Sequence, residues 1–200
     1  MTTLSSIRTL VRRDLKDEDG ANYRWTDNEI DRAIDKAVLD YSLYCPLQQK
    51  STLATVDSSN ELSIASLTDR IDVTRVEHPV DDQPCPSRRF SVWGDLLTFL
   101  DGYQGDGANC YVYWLQKHTL GATSTIPTPH EGIIALGAAA YAISSQSQYQ
   151  VDKANTGGQK VDSDYSSWSG DMFARFHKEL ESIRTYNTKR LKQSYLSTEE

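Results

Sequence analysis

The chain has 200 residues, 38% of them hydrophobic and 24% charged, and a formal net charge of -7. That length suits one domain, or one domain with a sizeable insertion, and the composition argues against disorder of the whole. The acidic balance opposes tight binding along a phosphate backbone, although it suits a surface that must let a polyanion slide past.

The opening MTTLSSIRTLVRR has no unbroken apolar segment and carries its charges after the apolar positions, so neither a signal peptide nor a membrane span is expected. Leu4, Ile7, Leu10, Val11 and Leu15 recur at helical spacing with Thr3 as cap, predicting a helix over 4–16 that the acidic turn DEDGAN breaks. In RWTDNEIDRAIDKAVLDYSLYCP, Thr26 is an N-cap with Glu29 at the capping-box position, and Trp25 is placed to staple onto Ile30. Ile30, Ala33, Ile34, Ala37, Val38 and Tyr41 then form one apolar stripe, and Pro46 stops the helix.

From residue 51 the hydrophobic period becomes two, with β-branched and aromatic residues taking over. STLATV and ELSIAS flank the turn DSSN at 57–60 and read as a hairpin, and IDVTRVEHPV, RRFSVWG, LLTFL and ANCYVYWLQKH read as four further strands. The expectation is a helical domain made of 1–50 and 127–200, with an inserted antiparallel β domain over 51–126. Alternation puts Tyr111, Tyr113 and Leu115 on one face of the last strand and Val112 and Trp114 on the other, so most aromatics serve a small core. Were both faces apolar, one would have to meet another sheet or another chain.

Helical periodicity returns at Ile133. Thr128 reads as N-cap, Pro129 as N1 and Glu131 as N3, a second capping box ahead of a helix over 133–149. Its Ala135, Ala138, Ala139 and Ala142 face admits a close neighbour. KANTGGQK at 153–160 breaks the pattern, and a last helix is predicted over 163–192 with Tyr165, Trp168, Met172, Phe176, Leu180 and Ile183 on one face. The fold class expected is α+β: an antiparallel bundle of about four helices with a long C-terminal helix and an inserted antiparallel β unit. Some 30 residues of helix span about 45 Å, longer than a compact four-helix domain requires. Residues 171–192 hold six basic against three acidic residues, so this helix reads as a docking surface in an acidic protein.

No residue pattern announces catalysis. A zinc site on a helix needs ligands one turn apart, but the position four after His130 is Ile134. His78, Cys85, Cys110 and His118 fall in the β segment without a C-x-x-C or H-x-H pair, and the odd set Cys45, Cys85 and Cys110 argues against a disulfide framework. There is no G-x-S-x-G, and Gly102, Gly105 and Gly107 lead into a strand rather than the helix N-terminus a phosphate loop uses. DEDG at 17–20 lacks calcium-loop spacing and reads as an exposed turn. Neither an enzyme nor a cofactor or metal is expected.

Three stretches together resemble the head-to-tail connector, or adaptor, proteins of tailed bacteriophages: the N-terminal helix, acidic turn and RWTDNEIDRAIDKAVLDYS; VEHPVDDQPCPSRRFSVWGDLLTFL; and STIPTPHEGIIALGAAAYAISSQ with the glycine break and long helix after it. The resemblance covers nearly the whole chain. It implies a virion protein of the head-to-tail neck, assembled in the host cytoplasm as a homo-oligomeric ring, commonly of twelve copies, beneath the portal protein. Such a ring continues the channel through which genomic DNA passes without sequence-specific binding, offers the surface on which tail or nozzle proteins are built, and touches no membrane. By resemblance the C-terminal helix and tail dock on the portal, through Arg184, Lys189, Arg190, Lys192 and Tyr195. Two other readings stand beside it: a module binding a glycan or peptide through the aromatic β unit, and another neck or tail-completion role.

Overall fold

A computed structural model describes residues 3–82, 86–154 and 162–194, and for 147–154, 162–164 and 188–194 it describes the backbone only. The protein mixes helix and strand. Helices α1 (Leu4–Asp14) and α2 (Asp27–Tyr44) precede strands β1 (Leu47–Ala54), β2 (Glu61–Ser63), β3 (Arg70–Glu77), β4 (Phe90–Trp93), β5 (Leu96–Phe99) and β6 (Asn109–Gln116), and helices α3 (Glu131–Ala154) and α4 (Asp162–Ser194) follow. The chain divides into two compact units, one of 1–45 with 118–200 and one of 46–117. The boundaries thus lie at 45/46 and 117/118 rather than at 51 and 126, because β1 begins directly after Pro46 and the segment past Gln116 returns to the helices.

In the helical unit the periodic signals fold as read. Thr3 accepts from the Ser6 amide and Ser6 reaches back, a capping box that starts α1; Thr26 and Glu29 build the same device for α2. Both satisfy amides that the first helical turn leaves without partners. The α2 stripe Ile30, Ala33, Ile34, Ala37, Val38 and Tyr41 is wholly buried, together with Ile7, Val11, Leu15, Trp25, Met172, Phe176 and Leu180. Each large member of this core contributes on the order of 1.5–3 kcal/mol by leaving water. Trp25 also donates from Nε1 to the Ala142 carbonyl at 3.1 Å, so its polar edge is satisfied.

Helix α3 packs against α1, α2 and α4. Its small-residue face permits this: Ala135, Ala138, Ala139 and Ala142 are buried, and at Gly137 an added Cβ would stand 2.6 Å from the Phe176 ring. Two expectations need correction here. Thr128 is not an N-cap; Thr128–His130 form a 3-10 turn whose cap, Pro127, has no side chain able to accept, so the second capping box does not form and α3 starts at Glu131. Trp168 departs from the packed face of α4 and stays 36% exposed, while Ser169 is buried and donates to the Ala140 carbonyl at 3.4 Å.

In the β unit the six strands form two three-stranded antiparallel sheets, ordered β1-β6-β3 and β2-β5-β4. The expected hairpin between STLATV and ELSIAS is absent. β1 pairs along all eight residues with β6, from Leu47 opposite Gln116 to Ala54 opposite Asn109, whereas β2 pairs with β5. A three-residue β2 offers β1 little, and β6, apolar on alternate positions, offers it a full ladder. The turn at 57–60 is instead held by Gly105, whose amide donates to Ser59 O and whose carbonyl accepts from Ser58 N. A Cβ at Gly105 would lie 2.2 Å from the Val56 carbonyl oxygen, so only glycine fits that approach. β3 ends at Glu77 because Pro79 has no amide to continue the ladder.

Residues of both sheets, Leu62, Leu97, Phe99, Val73, Val76, Cys110, Val112 and Trp114, form one core. Alternation on β6 holds: Cys110, Val112 and Trp114 are buried and Tyr111 and Tyr113 half-buried. The tyrosine face needs no further sheet, for Lys50 Nζ lies 3.3 Å over the Tyr111 ring, and the two hydroxyls donate to Asp81 and Glu77.

Candidate functional site

Of the docking residues suggested by the resemblance, Arg184 is described. It sits exposed on α4, its Nη1 3.7 Å from Glu181 one turn earlier, with more than half of both side chains in solvent. Such a pair is worth well under ~1 kcal/mol. The side chains of Lys189, Arg190 and Lys192, and all of Tyr195, lie outside the described residues. Beside Arg184, a shallow cleft of about 400 Å³ is lined by Lys178, Glu181, Ser182, Thr185 and Tyr186, and the Tyr186 ring is 69% exposed. Leu180 is the last buried residue of α4 among the described side chains; Ile183 and Asn187 are partly buried, Asn187 donating to Cys45 Sγ at 3.2 Å, and the helix continues to Ser194.

A second concavity, of about 600 Å³, opens between α1, α3 and α4. Leu10, Leu136, Trp168 and Met172 make its apolar floor, and Arg13, Asp14, Lys16 and Arg175 its charged margin. Partial burial holds the Asp14 carboxyl above its ordinary range, against the pull of the three cations.

Of the histidines and cysteines singled out by sequence, His118, His130 and Cys45 gather around Tyr41, while His78 and Cys110 lie in the β unit. His130 Nδ1 meets the Tyr41 hydroxyl at 2.5 Å. His118 belongs to the helical unit: its Nε2 donates to the Cys45 carbonyl at 3.0 Å, closing the end of α2, and Nδ1 lies 3.0 Å from the Thr125 hydroxyl. Burial lowers the pKa of both rings. In the β unit His78 Nε2 lies 3.1 Å from the Tyr103 hydroxyl, and burial pushes the Cys110 thiol up to about 11, away from nucleophilic reactivity. Cys85 lies outside the described residues. Among the described residues, no group of three or more His, Cys, Asp or Glu is arranged to hold a metal ion, and no helix is long and apolar enough to cross a membrane.

What the residue reading missed is an ion network. Asp17, expected in an exposed turn, is buried; it accepts from Arg12 Nη1 at 2.7 Å and from the Arg24 amide at 2.8 Å. Arg12 also donates to Asp27 at 2.6 Å and to the Trp25 carbonyl at 3.1 Å, and Arg8 holds Asp31 through two bonds. The signal was present in spacing: Arg8 and Arg12 are four apart on α1, as are Asp27 and Asp31 on α2. The network fixes α1 against the start of α2 and builds no reactive centre.

Comparison with known proteins adds no identification: no family model matches the chain, and no curated protein matches it.

Proposed function

We propose that the protein is a structural head-to-tail adaptor of a tailed-phage virion, a homo-oligomeric ring beneath the portal that extends the DNA channel and carries the tail. The observation that supports this best is the element order, two helices, a β insertion and two helices, ending in a 33-residue α4 that runs seven residues past Asn187, which meets Cys45 Sγ. At 1.5 Å per residue α4 is about 50 Å long. In this reading the helical unit is an antiparallel bundle, twelve copies make the ring, and Arg184, Lys189, Arg190 and Lys192 meet the portal. The exposed Tyr186 on the same stretch supplies apolar area to that contact, and Leu39 and Leu43, 46% and 60% exposed on α2, add further apolar surface. The protein works mechanically, without catalysis or cofactor. Removing residues 184–200 tests the docking assignment: the shortened chain should fold and no longer add to the portal, and retained docking would refute it.

One observation favours a second reading, a module that binds a glycan or peptide through its β unit. Trp93 is 89% exposed at the tip of the β4–β5 hairpin, beside Val92 and Leu96 at 38% and 39%. An exposed indole flanked by apolar residues suits stacking on a sugar ring. Quenching of tryptophan fluorescence by an oligosaccharide or peptide, lost in Trp93→Ala, would support it; an unchanged spectrum across a ligand panel would remove it.

A further inference from the structure

We propose that the cleft between α1, α3 and α4 receives the C-terminal segment YLSTEE, residues 195–200, of a second copy of this chain. The inference rests on the ring reading above and names a contact that holds neighbouring copies together. The cleft offers Leu10, Leu136, Trp168 and Met172 below and Arg13, Lys16 and Arg175 at the margin. Asp14 stands among those cations and Arg13 Nε lies 3.5 Å from Glu18, both ends of that pair mostly exposed, so the margin remains net positive. YLSTEE supplies the complement in order, Tyr195 and Leu196 for the floor and Glu199 and Glu200 for the cations. Trp168 belongs by spacing to the packed face of α4, yet it stays 36% exposed at the cleft floor.

Reach decides between one copy and two. From Arg175 to the end of α4 at Ser194 the helix rises by about 28 Å. Tyr195 and Leu196 follow within about 7 Å of that end however the chain runs, since each residue extends it by at most about 3.6 Å. They cannot fold back to their own cleft, so the donor must be a neighbour.

The test uses the full chain with p-benzoylphenylalanine in place of Tyr195, mixed with isotopically heavy wild-type chain and irradiated, the crosslinks being mapped by mass spectrometry. The expected result is a light-to-heavy crosslink to α1, α3 or α4 at the cleft floor. Arg175→Glu, on an exposed position, should lower its yield at least tenfold, and adding Glu199→Lys with Glu200→Lys in the photoreactive chain should restore it. Crosslinks confined to one chain or to other surfaces, a yield indifferent to Arg175→Glu, or a failure of the reversed charges to restore it would overturn the inference. A chain that crosslinks in this way yet never adds to a portal contradicts the adaptor reading instead, and one that adds to the portal without the crosslink contradicts only this contact.

Discussion

Arg12 and Asp17 meet at 2.7 Å with 7% and 3% of their side chains exposed, a buried ion pair at the junction of α1 and α2. Asp17 also accepts the Arg24 amide, so its carboxylate organises the loop that delivers Trp25 to the core. Removing Asp17 leaves Arg12 its bond to Asp27 but takes one partner from the buried guanidinium and the acceptor from the Arg24 and Trp25 amides, which costs about 1–3 kcal/mol. Asp17→Ala should destabilise the protein by that order, and Asp17→Asn by less, because the amide oxygen still accepts from the Arg24 N–H. Urea unfolding midpoints check the ranking; an Asp17→Ala midpoint equal to the native one would show that the pair holds nothing.

Glycines in the last two helices should respond in opposite directions. Gly137→Ala places a methyl against the Phe176 ring and should cost about 1–3 kcal/mol through overpacking. Gly170 in α4 has nothing within 4 Å of an added Cβ, so Gly170→Ala should gain about 0.5–1 kcal/mol by favouring helix. Thermal melts of the two variants measure the difference in sign.

The tryptophans of the β unit divide in the same manner. Trp114 is 6% exposed with Nε1 donating to the Ser51 hydroxyl at 2.9 Å, so Trp114→Ala should cost about 3–5 kcal/mol. Trp93→Ala should change stability by no more than about 0.5 kcal/mol, as for an ordinary surface site. Denaturant titration of both variants reads the contrast, and a Trp93→Ala protein that unfolds would place that indole in the core.

Acid should weaken the helical unit. His118 and His130 have folded-state pKa values lowered from the ordinary 6.5, both by burial first, so the unfolded chain binds more protons than the folded one as pH falls. Stability is therefore full above about 6.5 and declines as the pH drops through that value toward the lower folded pKa values. His118→Asn should flatten part of that slope, leaving the share due to His130. Melting temperatures between pH 7.5 and 5 measure it, and a variant with the native slope would exclude His118.

The helices were legible because their information is local. Thr26 with Glu29, Trp25 with Ile30, and the stripe from Ile30 to Tyr41 lie within one or two turns of each other and folded as their spacing requires. Strand pairing is not local: β1 chose β6, more than fifty residues on, over the adjacent β2, and the turn residues at 57–60 said nothing of that competition. Asp17 was misread for the same reason, since an acidic turn looks solvated until Arg12 and two backbone amides converge on it. At Thr128 the residue types of a cap were present, but the chain entered α3 through a 3-10 turn one residue earlier. Of the proposed docking surface, the basic character of the last helix was legible from composition, whereas the cleft floored by Trp168 needed three helices to exist.

The central claim is a ring that adds to a portal, and electron microscopy of the purified protein incubated with the portal of the same phage tests it most directly. The account predicts a second, stacked ring with rotational symmetry on one end of the portal, dependent on the stretch from Arg184 onward. A protein that remains monomeric and leaves the portal bare at every concentration would contradict it.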